Sequence, residues 1–97
     1  MRFSNNLNEA QLERLALLAE ELGEAVQVIG KIIRHGYDSI NPKQPDGPTN
    51  RAMLEHELGD VAYAVQLMAD SDDISALSID CHRDRKEVNV KRYLHHQ

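Results

Sequence analysis

Two clusters of carboxylates carry the chemistry this sequence could perform. The first is Glu20, Glu21 and Glu24 in "LAEELGEAVQVIGKIIRHG"; the second is Glu57 and Asp60 in "MLEHELGDVAYAVQLM". At about 100° per residue, Leu12, Leu15, Ala19, Leu22, Val26, Ile29 and Ile33 fall on one helical seam with alternating steps of three and four. Leu18, Ala25 and Ile32 widen that seam on one side, and Leu17 and Val28 extend it further. Glu21 lands between Val28 and Ile32, inside this apolar arc, with Glu20 and Glu24 at its edge. In the second segment Leu54, Leu58, Val61, Ala64, Val65, Leu67 and Met68 define an apolar arc, with Glu57 in its middle and Asp60 on nearly the same side.

An ionised carboxylate taken into a protein interior costs several kcal/mol or more, and several together also repel one another. One divalent cation resolves both problems, because acids at i, i+3 on two facing helices can converge on a single ion. An all-oxygen set favours Mg²⁺, with Mn²⁺ as a substitute, over zinc. Mg²⁺ characteristically keeps some of its waters and takes further ligands from substrate phosphates. The competing reading rotates the acids to the solvent edge and pairs them with Lys31, Arg34 or Arg51.

The elements that must position these acids are helices. Asn8 can cap the first, with Gln11 completing a capping box and Leu7 and Leu12 available as a hydrophobic staple. The helix is expected from about Glu9 to His35, with Gly36 ending it. "YDSINPKQPDGPT" holds all three prolines and reads as loop. Thr49 or Asn50 caps a second helix, "NRAMLEHELGDVAYAVQLMAD", and "SDD" makes a turn. "ISALSIDCHRDRKEVNVKRYLHHQ" reads as a third, weaker and possibly broken helix, with Cys81 packed in a core. No stretch alternates with period two, so the expected fold is all-α. The apolar arc of the first helix is wider than a three-helix monomer can hide, which implies an antiparallel helical bundle completed by oligomerisation.

Ninety-seven residues make a single domain, 1–97, and one cysteine excludes an intrachain disulfide. The formal net charge of −5 argues against a nucleic-acid surface. The charge is uneven: residues 82–97 carry five Lys/Arg against two Asp/Glu, a basic segment on an acidic body. It offers either a solvated helix end or a phosphate contact. With no apolar run behind Arg2 and none of membrane-spanning length, the expected location is cytoplasmic. His56 reads as a surface residue off the acid face.

"EELGE" followed after 32 residues by "ELGD" resembles the EExxE…ExxD signature of MazG-like nucleoside triphosphate pyrophosphohydrolases, which belong to an all-α superfamily. The resemblance covers roughly Leu12 to Met68. It implies a Mg²⁺-dependent enzyme, a homodimer or homotetramer, cleaving nucleoside triphosphates to the monophosphate and pyrophosphate in nucleotide-pool house-cleaning. It implies Glu21, Glu24, Glu57 and Asp60 as metal ligands and Glu20 as the acid that orients or deprotonates water. Lys31, Arg34, Arg85 and Lys86 are candidates for phosphate contact, and the loop from Tyr37 to Thr49 for a base pocket. Related alternatives are hydrolysis of phosphoribosyl-ATP or of guanosine tetra- or pentaphosphate. The first is disfavoured because "DVAYAVQLM" lacks the histidine of the "DLLYHLL"-like run. A non-catalytic helical dimerisation module is the alternative of a different class.

Overall fold

The structure, a computed structural model, describes residues 4–97; residues 1–3 of the expected domain lie outside the described residues. The described residues form three α-helices, α1 Glu9–His35, α2 Asn50–Asp70 and α3 Ala76–Asn89, the last followed by a 3₁₀ turn, Val90–Arg92. Among the described residues the only β pairing is an isolated antiparallel bridge between Ile40 and Thr49, so the chain is all-α.

Local chemistry sets each boundary. Asn8 and Gln11 form the reciprocal capping box: the Gln11 backbone N–H donates to Asn8 Oδ1 at 2.8 Å, and the Asn8 N–H donates to Gln11 Oε1 at 2.9 Å. Gly36 closes α1 with φ 89°, a left-handed value that suits a residue without Cβ. Thr49, rather than Asn50, caps α2, accepting from the Ala52 N–H at 3.1 Å. At the far end Asp73 N–H donates to Met68 O and Asp72 N–H to Ala69 O, closing a Schellman turn with Asp72 at φ 60°. Ser75 caps α3, which starts two residues later than the pattern suggested and gives way to the 3₁₀ turn at Val90.

Helices α1 and α2 lie antiparallel. Arg14 near the start of α1 meets Asp73 just past the end of α2, while the Asn50 side chain at the start of α2 reaches Gly36 at the end of α1. Arg14 holds Asp73 through two hydrogen bonds, Nε to Oδ2 at 2.6 Å and NH2 to Oδ1 at 2.9 Å. At the loop end Arg51 pairs with Asp38 and lies over the Tyr37 ring, 5.0 Å from its centroid.

The core is small. Among the described residues Ala25, Val28, Ala64 and Met68 are its buried apolar members, and no large side chain there is fully enclosed. The helix pair therefore uses the flank of the α1 arc, around Ala25 and Val28, rather than its central seam. Most of the three-and-four seam is open, with Val26 66% and Ile33 79% exposed and Leu12, Leu15, Leu22 and Ile29 also exposed. Every residue of α3 is exposed, and this helix has no extended packing on α1 or α2. Cys81 is accordingly exposed, not core, because the helix that carries it has no partner within one chain.

Candidate metal centre

The acids sit in the middle of the α1–α2 interface. Glu21 and Glu24 of α1 and Glu57 and Asp60 of α2 each offer an oxygen, and these four atoms lie within 4.8 Å of one another. Each pair has i, i+3 spacing, which stacks both side chains on one helix face. Since the α1 face toward α2 is the flank containing Ala25 and Val28, Glu21 and Glu24 are carried into the interface with them. All four are half-buried.

The electrostatics of this group are unfavourable as it stands. Glu21 Oε2 and Glu57 Oε2 are both shielded from solvent with no hydrogen-bond partner among the described residues. No lysine or arginine among those residues forms an ion pair with Glu21, Glu24, Glu57 or Asp60. Arg51, which could have neutralised a solvent-edge arrangement, is engaged with Asp38. Burial pushes the Glu21 carboxyl above its ordinary range, and the charges of Glu24, Asp60, Glu57 and Glu20 push it further. Glu57 is raised first by burial, then by its hydrogen-bonding contact with Glu24 and by that residue's charge; Asp60 adds to the effect and His56 opposes it.

Such a donor set fits a hard divalent cation. It supplies oxygens alone, two of them desolvated and unpartnered, from two rigid helices, and a cation would remove the repulsion that raises Glu21 and Glu57.

The remaining candidates divide clearly. Glu20 stands beside the group on the exposed side of α1 and is not one of the converging four. Lys31 and Arg34 line a cavity of about 660 Å³ between the end of α1, the loop and the start of α2, together with His35, Ile40, Asn50 and Met53. Arg85 and Lys86 are exposed on α3, and the structure does not bring them to the acids within one chain.

Two residues escaped the sequence reading. His56, placed off the acid face, brings Nε2 to 3.2 Å from Asp60 Oδ2, and His56, Glu57 and Asp60 form a second convergent group. The i, i+4 spacing of His56 and Asp60 was the available signal. Asn50 is 6% exposed, the one buried polar residue among those described, and lines the cavity. No family profile, no curated protein and no solved structure matches this chain.

Proposed function

We propose that this protein is a Mg²⁺-dependent nucleoside triphosphate pyrophosphohydrolase of the MazG-like kind, with Mn²⁺ as a possible substitute metal. The observation that carries the reading is the convergence of Glu21, Glu24, Glu57 and Asp60 within 4.8 Å, with two buried oxygens that lack a partner among the described residues. The reaction class rests on the resemblance of "EELGE" and "ELGD" to the EExxE…ExxD signature, because the acids alone do not say which bond breaks.

In this account Glu21, Glu24, Glu57 and Asp60 hold the ion. When bound, the metal neutralises phosphate charge and acidifies a water. Glu20, adjacent and solvent-facing, orients that water and takes its proton. The water oxygen bonds to the α-phosphorus, the bond from that phosphorus to the α–β bridging oxygen breaks, and pyrophosphate leaves. The products are a nucleoside monophosphate and pyrophosphate. Lys31 and Arg34, from the cavity two turns along α1, supply positive charge toward the substrate. Arg85 and Lys86 could contribute only from another copy or after movement of α3.

The open seam of α1 supports a homo-oligomer. Its residues recur at steps of three and four, the spacing of helices that pack along a shared apolar line. A second copy covering this seam would complete a helical bundle and enlarge a core that is meagre in one chain.

The test is a panel of canonical and modified nucleoside triphosphates incubated with Mg²⁺, with phosphoribosyl-ATP and guanosine tetraphosphate included. Chromatography is expected to show monophosphate and pyrophosphate as first products from nucleoside triphosphates. Diphosphate and orthophosphate would reject the reaction assigned here. No turnover of any compound would favour a non-catalytic helical dimerisation module.

A further inference from the structure

His56 stands beside the four acids, on their solvent side. At about 100° per residue along α2, Asp60 falls about 60° from Glu57 and about 40° from His56, between the two. Helical side chains lean toward the N-terminus, which carries Asp60 back toward both. Two sets of donor atoms result. Glu21, Glu24, Glu57 and Asp60 each give an oxygen to the first, and His56 joins Glu57 and Asp60 in the second, the atoms of each set lying within 4.8 Å of one another. Because the sets share Glu57 and Asp60, the imidazole extends the carboxylate group outward.

The position of the ring nitrogen suits a shared ion. Nε2 lies 3.2 Å from Asp60 Oδ2. Adjacent ligands of a six-coordinate ion held at about 2.1 Å stand about 3 Å apart. The His56 side chain is 72% exposed, so it approaches the group without being fixed there by core packing. Glu57 gives a second reason for an ion at this place: its Oε2 is shielded from solvent and meets no donor among the described residues. A surface His–Asp pair at i, i+4 would engage Asp60 alone and leave that oxygen as it is.

We infer that His56 is a further ligand of the metal centre proposed above, and that its nitrogen biases the site toward first-row transition ions, Mn²⁺ among them, over Mg²⁺. The inference rests on that reading for the presence of an ion. Carboxylates and water suit Mg²⁺ and Mn²⁺ alike. Imidazole suits transition ions, whereas Mg²⁺ is a hard ion that takes oxygen. The carboxylates therefore hold either ion, and His56 adds to the hold on Mn²⁺ alone.

Mn²⁺ is the probe, because pulsed electron paramagnetic resonance detects a nitrogen bonded directly to it. The full chain, loaded with less Mn²⁺ than protein at slightly alkaline pH, where imidazole is free to bind metal, should show that nitrogen coupling, and His56→Ala should lose it. Calorimetric titration gives a second readout. His56→Ala should weaken Mn²⁺ binding at least about tenfold and leave Mg²⁺ binding nearly unchanged. Its melting temperature in chelator should stay close to that of the unaltered chain, since an exposed side chain is removed. His56→Gln, which can still hydrogen-bond to Asp60 but offers no ring nitrogen, should behave like His56→Ala. Rescue by glutamine would mean that His56 only orients Asp60, and would overturn the inference. Mn²⁺ binding without nitrogen coupling, coupling that persists in His56→Ala, or equal losses for both ions would overturn it too, and each leaves the carboxylate centre standing. No binding of either ion by the unaltered chain would overturn both readings. Glu57→Gln separates them from the other side, because it should weaken Mn²⁺ and Mg²⁺ together.

Discussion

Glu21 on α1 and Glu57 on α2 each turn a carboxylate oxygen, Oε2 in both cases, into the helix–helix interface, where neither meets a hydrogen-bond donor among the described residues. Each is raised above its ordinary range by burial, and each feels the charge of neighbouring acids. Two helices that pack through so small a core thus bring repelling groups together at its centre. The metal-free chain carries that repulsion as a loss of stability.

The pH dependence follows in sign. Between the ordinary carboxyl value of about 4.5 and the raised folded values, the folded chain binds more protons than the unfolded one. Stability therefore falls as pH rises through that interval. In chelator the melting temperature should be higher at about pH 5 than at about pH 7.5, and a Glu21→Gln, Glu57→Gln double variant should show a flatter profile. A wild-type melting temperature that is flat or rises across this range would contradict the account. Saturating Mg²⁺ should weaken or reverse the trend, because the ion binds the deprotonated carboxylates.

Asp73 works in the opposite sense. Its two hydrogen bonds from Arg14 hold it below the ordinary value of 3.8. The stability this pairing contributes is present above that value and is lost as pH falls through the lower folded one. Arg14→Met should lower the melting temperature at neutral pH, since it leaves a largely covered carboxylate without its donors. The difference from wild type should close at the acid end of the series, which thermal melts at several pH values would show.

Asp72 closes the Schellman turn of α2 at φ 60°, a left-handed position usually held by glycine. Asp72→Gly removes the Cβ crowding, although glycine adds freedom to the unfolded chain. The first effect wins at such a site, and chemical denaturation should show a gain of about 0.5–1 kcal/mol. A loss would mean that the Asp72 side chain contributes more to the turn than its backbone conformation costs.

The exposed seam predicts self-association. Light scattering should give a dimer or tetramer at micromolar concentration, and Val26→Lys with Ile33→Lys should shift it toward monomer, because both side chains lie on the open face. A stable monomer of about 11.0 kDa for the unaltered chain would refute this.

Much of the framework was legible in the residues themselves. Asn8, Gln11 and Gly36 bound α1, and Thr49 starts α2, because caps and left-handed glycines act locally. The carboxylates could be found because an acid inside an apolar arc violates the helical pattern. Which flank of the α1 arc meets α2 was not legible, since the seam through Val26 and Ile33 and the flank through Ala25 and Val28 are both apolar. That choice depends on how the two helices pair. The exposure of Cys81 was hidden for the same reason: its helix has an apolar side but no partner in the chain. The Arg14–Asp73 pair spans 59 residues, beyond any local pattern. Asn50 resembled a cap until the position of Gly36 showed where its amide is held.

On the proposal made above, Glu21, Glu24, Glu57 and Asp60 form a divalent-cation site. Thermal melting of wild type and Glu57→Gln, each in chelator and in Mg²⁺, tests it most directly. The glutamine keeps the shape of the side chain and removes one charge. In chelator the variant should melt at or above the wild-type temperature, because one repelling carboxylate has gone. Mg²⁺ should raise the wild-type melting temperature, as a ligand that binds only the folded state must, and most of that shift should vanish in the variant. If Glu57→Gln and wild type melt alike in chelator and respond alike to Mg²⁺, the four carboxylates are not a metal site.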